Sequence, residues 1–343
     1  MKAVILIGGE ATRLRPLTQN IPKAVVPVLN TPFLELVFRY LSRHGIRDIV
    51  LTQSRLLPIA GYFGDGSQFG IKIDYTNEDA PLGTAGAVKN AEKYLNEAFL
   101  VLNGDVLTDL DISAMVGFHR QKRAKVTIAL TPVDDPTSYG LVETDDENRV
   151  TLFLEKPRPD QITTNLINAG IYVIEADVLA RIPPRTSFSF ERELFPQLLE
   201  QGEPVYAYPS SGYWIDIGTP QKYLQLNQDL LAGKARSQNY GLTPHIEVLL
   251  GDKTSLNPRA QIKGPTVIGS GCTIQEDALI EQSVIWQQVK IGRRAKVKNS
   301  IVANHCQLKD DCIIQDSVLG DNVTVTRGAK LAPGSKIEPG TTV

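Results

Sequence analysis

Three cysteines (Cys272, Cys306 and Cys312) in a chain of 343 residues are too few, and odd in number, for a disulfide framework, and none has the paired C-x-x-C spacing of a zinc site. They read as reduced, buried thiols. Long apolar runs are missing too. Nothing approaches the roughly 20 residues that span a bilayer, and the opening MKAVILIGGE is too short in apolar residues for a secretory leader. A cytoplasmic protein without a membrane partner is expected. Nor is there an excess of either charge: 36 Lys plus Arg against 38 Asp plus Glu leave −2. That balance removes the electrostatic case for nucleic acid or an anionic surface, so any phosphate site must be local.

What is present divides into two halves. The length favours two domains over one. Up to about Leu231, strand-like runs (AVILI, DIVLT, FLVLN, KVTIAL, NAGIYV) alternate with amphipathic stretches such as FLELVFRYLSRHG and TAGAVKNAEKYL. This order predicts an α/β domain with a mixed, mostly parallel sheet, whose ligands sit beyond the strands' carboxyl ends.

From Leu250 a shorter repeat takes over. Large apolar residues fall six apart at Leu250, Leu256, Ile262, Ile268, Ile274 and Ile280, step by five to Ile285, and continue through Ile291, Val297 and Val302 to Val343. Each five-residue step follows a similar phrase: EQSVI, KNSIV, QDSVL. Small or β-branched residues follow four positions later, among them Cys272, Ala278, Val284, Ile301, Cys306 and Val318. One large and one small inward residue per six describe one side of a triangular prism, three units making a coil. The pattern resembles the hexapeptide repeat of left-handed parallel β-helices. Cys272 and Cys306 then lie two coils apart, roughly 9–10 Å at ordinary strand spacing and too far for a disulfide. His305 falls at a prism corner, where a solvent-facing role is favoured over a catalytic base.

The stretch LIGGEATRLRPLTQNIPKAVVPVLN is more than a turn requires. Gly8 and Gly9 follow the first strand directly and let the backbone approach a ligand with its N–H groups aimed at phosphate oxygens. Arg13 and Lys23 add full positive charge, and Pro16, Pro22 and Pro27 stiffen the loop that holds them. It reads as a phosphate cradle, distinct from both GxxxxGK[ST] and GxGxxG.

GGEATRLRPLT followed by PKAVVPVLNTP resembles the signature of sugar nucleotidyltransferases, the sugar-phosphate pyrophosphorylases, and in particular of mannose-1-phosphate guanylyltransferases. APLGTAGAV, LVLNGDVLTD, YGLVE, FLEKP, NAGIYV, SFERELFPQLL and GYWIDIGTPQKYL match in order, so with the hexapeptide tail the resemblance spans essentially the whole chain. It implies a Rossmann-like nucleotidyltransferase domain at 1–233, a connector at 234–244 and a left-handed β-helix at 245–343. It implies Arg13 and Lys23 as catalytic; Gly8, Gly9, Ala11, Thr12, Glu78, Gly83 and Thr84 as nucleotide-binding; and Asp105 and Asp216 as ligands of Mg²⁺. For the sugar phosphate it implies Gly140, Glu155, Lys156, Asn168, Gly170 and Trp214. The family usually has glycine where this chain has Ala11, which fits the loop only if its φ is negative.

Several residues have plainer readings beside these. Asp105 in NGD could cap a turn, Glu155 with Lys156 could be a solvated pair, and Trp214 could be an ordinary core aromatic. Asp109 and Asp111 look like caps of the helix that follows. Glu78 is the informative one. A carboxylate accepts two hydrogen bonds, which suits N1–H and the amino group of guanine, whereas uracil or thymine pair a donor with an acceptor and suit glutamine. GTP with mannose 1-phosphate is therefore the favoured pair. A glucose-1-phosphate thymidylyl-, uridylyl- or adenylyltransferase, a non-catalytic regulatory subunit, and a hexapeptide acyltransferase remain as alternatives. A homo-oligomer held through the β-helix is expected: the repeat runs to Val343, leaving a coil end to be covered, and Val284, Ile285 and Trp286 are candidates for an apolar outer face.

Overall fold

Ala3–Leu6 sits at the centre of the first half, paired in parallel with Asp48–Ser54 on one side and Phe99–Asn103 on the other; Asp48–Ser54 continues in parallel to Lys72–Glu78. The computed structural model describes residues 1–9, 11–54, 59–242 and 245–343. On the other flank Leu166–Ile174 runs antiparallel to Phe99–Asn103 and leads to Gly140–Thr144 and Val150–Glu155, while Val126–Pro132 and Val205–Pro209 complete a mixed nine-stranded sheet. These strands are apolar on both faces: Val4, Val50, Val101, Ile128 and Tyr172 meet Ala85, Val88, Phe190 and Phe195 in one core. In helix Phe33–Arg43 the predicted apolar positions Phe33, Leu36, Val37, Tyr40 and Leu41 are all buried. Asp111 caps helix Ile112–Lys122, accepting the Ala114 N–H at 2.9 Å. Among the described residues, no helix is long and apolar enough to cross a membrane.

The chain forms two compact units, Met1–Gly9 with Phe38–Trp214, and Glu10–Val37 with Ile215–Val343. The second unit takes in the long loop after the first strand, which hydrogen-bonds to helix Pro220–Leu231 and to the repeats. It therefore cuts across the sequential boundaries at 233 and 245. Of the expected connector, residues 243 and 244 lie outside the described residues.

From Val248 the chain winds as a three-sided parallel β-helix. Its three sheets stack strand on strand, 18 residues apart in the first coil, as in Val248↔Thr266, and 17 apart through the middle coils: Val284↔Ile301↔Val318 on one side, Lys290↔Gln307↔Thr324 on the next and Lys296↔Ile313 on the third. Ile268, Ile285, Val302 and Leu319 form one inward column; Cys272, Val289, Cys306 and Val323 form another. Corners at Asp277, Gln288, Arg294, His305, Asp311 and Asn322 turn through positive φ. His305 is exposed there, as expected. All three thiols are free and buried, and burial pushes Cys306 up to about 12 and Cys312 up to about 11.

Two expectations about the prism need correction. Val284, Ile301 and Val318 are not the small inward residues. Strand alternation turns them outward, because Ile285, Val302 and Leu319 point in. The small column at that corner is Ser283, Ser300 and Ser317, each donating its N–H to the hydroxyl one coil below, Thr266, Ser283 and Ser300 respectively. The five-residue step shortens the corner, and serine closes it. Trp286 is also not an exposed face for a second subunit. It is 1% exposed and its indole N–H donates to Tyr223 at 2.9 Å, so a helix of the same chain covers it.

Candidate active site

Three of the parallel strands end in predicted site residues, which is where an open α/β sheet places ligands. Gly8 and Gly9 follow Ala3–Leu6, and Gly9 takes φ +122°. Glu78 closes Lys72–Glu78, and Asp105 follows Phe99–Asn103. A side chain on Gly8 would stand 3.6 Å from Glu78 Oε1, so the glycine backbone and this carboxylate face each other directly. Oε2 accepts the Leu82 N–H at 3.1 Å, and burial raises the carboxyl's pKa against that hydrogen bond. Gly83 takes φ +69° and packs on Phe188, where a Cβ would come within 2.7 Å of the carbonyl oxygen. The Thr84 hydroxyl is committed elsewhere: it donates to Glu191 at 2.8 Å and accepts the Phe190 N–H at 2.9 Å.

The residues expected at the sugar lie on neighbouring strands. Gly140 pairs directly with Glu155, and a Cβ at Gly140 would meet Phe153 at 2.7 Å and Glu155 Oε2 at 3.2 Å. Burial raises Glu155, and the nearby Glu191 charge raises it further against Lys156 and Arg192. Lys156 is exposed, its backbone N–H bonded to the Tyr139 carbonyl at 2.9 Å. Asn168 is buried, accepting the Gly170 N–H at 2.9 Å and donating to the Tyr172 hydroxyl at 2.8 Å. Gly170 takes φ +72° against Asn103, too close for any Cβ. Trp214 donates to the Ala169 carbonyl at 2.9 Å and meets Tyr139 edge to face.

Glu191 joins the two sets, and the sequence reading missed it. Its carboxylate accepts from Thr84, from Ser189 at 2.7 Å and from Tyr172 at 3.0 Å. One hydrogen-bonded line thus runs from the loop bearing Gly83 to Asn168. The motif SFERELFPQLL was visible, but nothing in it singled out the first glutamate, because its partners beyond Ser189 are 19 and 107 residues away.

The second unit holds the remaining candidates. Ala11 is in the left-handed region, φ 47° and ψ 38°, so the expectation of a negative φ is wrong. Its carbonyl accepts both the Leu14 N–H and the Thr18 hydroxyl at 3.0 Å, and these bonds offset a conformation that costs an L-residue about 1–2 kcal/mol. Thr12–Leu14 then forms a short turn that presents Arg13 to solvent. Gly218 lies between Arg13 and Asp216: a Cβ there would stand 3.3 Å from the guanidinium and 2.5 Å from the carboxylate. Asp216 accepts the Gly218 N–H at 3.0 Å and pairs with Lys222. Lys23 opens a second turn, Lys23–Val25, behind Pro22, and is half-buried.

The first unit thus sets paired glycines at a strand end beside a carboxylate, and the second carries a basic loop beside Asp216. Residues 2–233 match the nucleotidyl transferase family. The chain belongs to that family. Residues 246–343 match the LbH domain of eIF2B subunit epsilon, so the prism is a left-handed β-helix. This nucleotidyl transferase is 41% identical over 293 residues to a mannose-1-phosphate guanylyltransferase of Mycobacterium tuberculosis, covering 84% of this chain and 80% of that protein. It is 33% identical over 340 residues to a UTP–glucose-1-phosphate uridylyltransferase of Synechocystis, covering 88% and 87%. Among solved structures, HddC of Yersinia pseudotuberculosis complexed with GMP-PN superposes with a TM-score of 0.56 at 32% identity, covering 66% of this chain and 98% of that one.

Proposed function

We propose that this nucleotidyl transferase joins GTP to mannose 1-phosphate, releasing pyrophosphate and forming the nucleoside diphosphate sugar. The observation that carries the choice of nucleotide is Glu78, a half-buried carboxylate facing the Gly8 backbone with one oxygen on a backbone N–H. Ionised, it retains acceptor capacity on both oxygens for the N1–H and amino group of guanine. The mannose-1-phosphate guanylyltransferase among the relatives supports the sugar.

A phosphate oxygen of the sugar phosphate attacks the α-phosphorus in line, the new P–O bond forms, and the bond to the bridging oxygen breaks as pyrophosphate leaves. The attacking group is already an anion, so no general base is required. Arg13 and Lys23 bind and orient the phosphate groups and offset the charge that builds as the bond breaks. Glu155 and Asn168 hold the sugar hydroxyls, Gly140 and Gly170 let the backbone come close, Lys156 balances the sugar phosphate, and Trp214 walls the hexose. Asp105 and Asp216 would hold a divalent cation, read here as Mg²⁺. Their carboxylates are the hard oxygen donors that ion prefers. When bound, the ion would neutralise phosphate charge.

Location in the cytoplasm and assembly through the β-helix belong to the same proposal. With Trp286 covered, the support for assembly is the first coil, where Leu250 is 45% and Leu256 39% exposed. The uridylyltransferase relative favours a second reading, UTP with glucose 1-phosphate. Pyrophosphate release with GTP, dTTP, UTP, ATP and CTP against mannose and glucose 1-phosphates decides between them. The proposal requires GTP with mannose 1-phosphate to be fastest, and a preference for UTP or dTTP overturns it.

A further inference from the structure

The loop that carries Lys23 is tied to the β-helix by buried polar side chains. Trp286 leaves the outer face of strand Val284–Ile285, and its indole N–H donates to the Tyr223 hydroxyl at 2.9 Å, the rings meeting edge to face. That hydroxyl donates to the Pro27 carbonyl. One turn along the same helix, Asn227 accepts the Leu29 N–H at 2.9 Å and donates to the Tyr223 carbonyl at 2.9 Å. Tyr223 and Asn227 are both 0% exposed. Two further bonds reach the prism directly: Asn30 donates to the Ile268 carbonyl at 3.0 Å, and Asn20 donates to Asp321 at 3.2 Å. From Pro27 the tie continues to Lys23, since Val26 N–H bonds to the Lys23 carbonyl and Phe33 N–H bonds back to Val26.

Filling this volume needs no hydroxyl, and phenylalanine would do it. A phenol and an indole N–H, both desolvated, are tolerable only because each meets a partner, and a fully satisfied buried network admits few geometries. We propose that Tyr223 and Trp286 are positioning residues for nucleotidyl transfer, through which the β-helix fixes the loop that places Lys23. This rests on the reading of Lys23 as catalytic. The β-helix is then part of the catalytic apparatus, independently of any role in assembly.

The test compares the full chain with Tyr223→Phe, Trp286→Phe, Lys23→Ala, the double variant of Lys23→Ala with Tyr223→Phe, and Ser300→Ala, which disturbs the serine column alone. Steady-state kinetics is paired with hydrogen exchange of amides in residues 24–33. Tyr223→Phe is expected to lower kcat about tenfold, with KM for both substrates within about twofold, and to speed exchange in that segment. Trp286→Phe, which leaves the Pro27 bond in place, follows in the same direction and less far. Ser300→Ala leaves kcat unchanged, and the double variant is no slower than Lys23→Ala. Normal kcat in Tyr223→Phe, a fall in kcat without faster exchange, or an additive loss in the double variant overturns the inference. Normal turnover in Lys23→Ala would instead remove the catalytic reading of that lysine, and the inference with it, whereas the exchange data would still decide whether Tyr223 holds the loop.

Discussion

At the scale of single residues, chemistry and conformation separate cleanly. Arg13 is presented to solvent beside Asp216. Arg13→Ala should lower kcat by about a hundredfold, the usual effect of removing one donor aimed at developing charge. Arg15→Ala should lose much less in the same steady-state assay. Glu78 supplies a second prediction. Its raised pKa means that some of the carboxylate is protonated at pH values where a free glutamate is ionised. Guanine needs both oxygens as acceptors, so KM for GTP should rise as pH falls through that raised value. Stability moves the opposite way, because folding disfavours the charged form and the fold weakens as pH climbs from the unfolded to the folded pKa. Glu78→Gln should flatten both profiles and shift the preference from GTP toward UTP or dTTP by about 1–3 kcal/mol. Ala11, expected at the nucleotide, also bears on the fold. Ala11→Gly relieves a left-handed alanine and should raise stability by about 1 kcal/mol, read by chemical denaturation.

At the scale of elements, the sheet edge that carries the candidate site leaves no room for extra atoms. Gly104 donates its N–H to the Leu6 carbonyl at 2.8 Å, and a Cβ there would sit 2.6 Å from that oxygen and 2.5 Å from Ile7. Gly104→Ala must push two neighbouring parallel strands apart and should destabilise by about 1–3 kcal/mol in urea unfolding. These strands were legible as apolar runs ending in glycine or acid, and the helix caps at Asp111 as a local pattern. The hydrogen-bonded line through Glu191 was not legible. Its members come from three separate segments, and only the assembled sheet brings Thr84 and Tyr172 within reach of one carboxylate, with Asn168 reaching it through the Tyr172 hydroxyl.

At the scale of the whole molecule, the three thiols report on the prism. They are buried and none pairs with another. Native protein should therefore resist a thiol reagent at neutral pH, all three cysteines reacting only after denaturation, and fast labelling of any of them would contradict the packing. Assembly is tested separately by sedimentation at micromolar concentration, where a single species near 37.7 kDa would remove the proposed oligomer.

The sequence alone determined the two architectures, because each is built from a local period: alternating strand and helix runs in one half, and six residues per prism side in the other. It also determined the chemical types at the candidate site, since glycines, cations and carboxylates announce themselves in short strings. Only the tertiary structure decided which face of the prism is covered within the chain. Trp286 looks like an exposed anchor in one dimension, yet Tyr223, 63 residues earlier, covers it. It likewise decided that residues 11–37 pack with the repeats, through bonds spanning up to 301 positions. A period repeats what each residue does for its own strand. A contact between distant segments depends on how completed elements meet, and no local pattern encodes that.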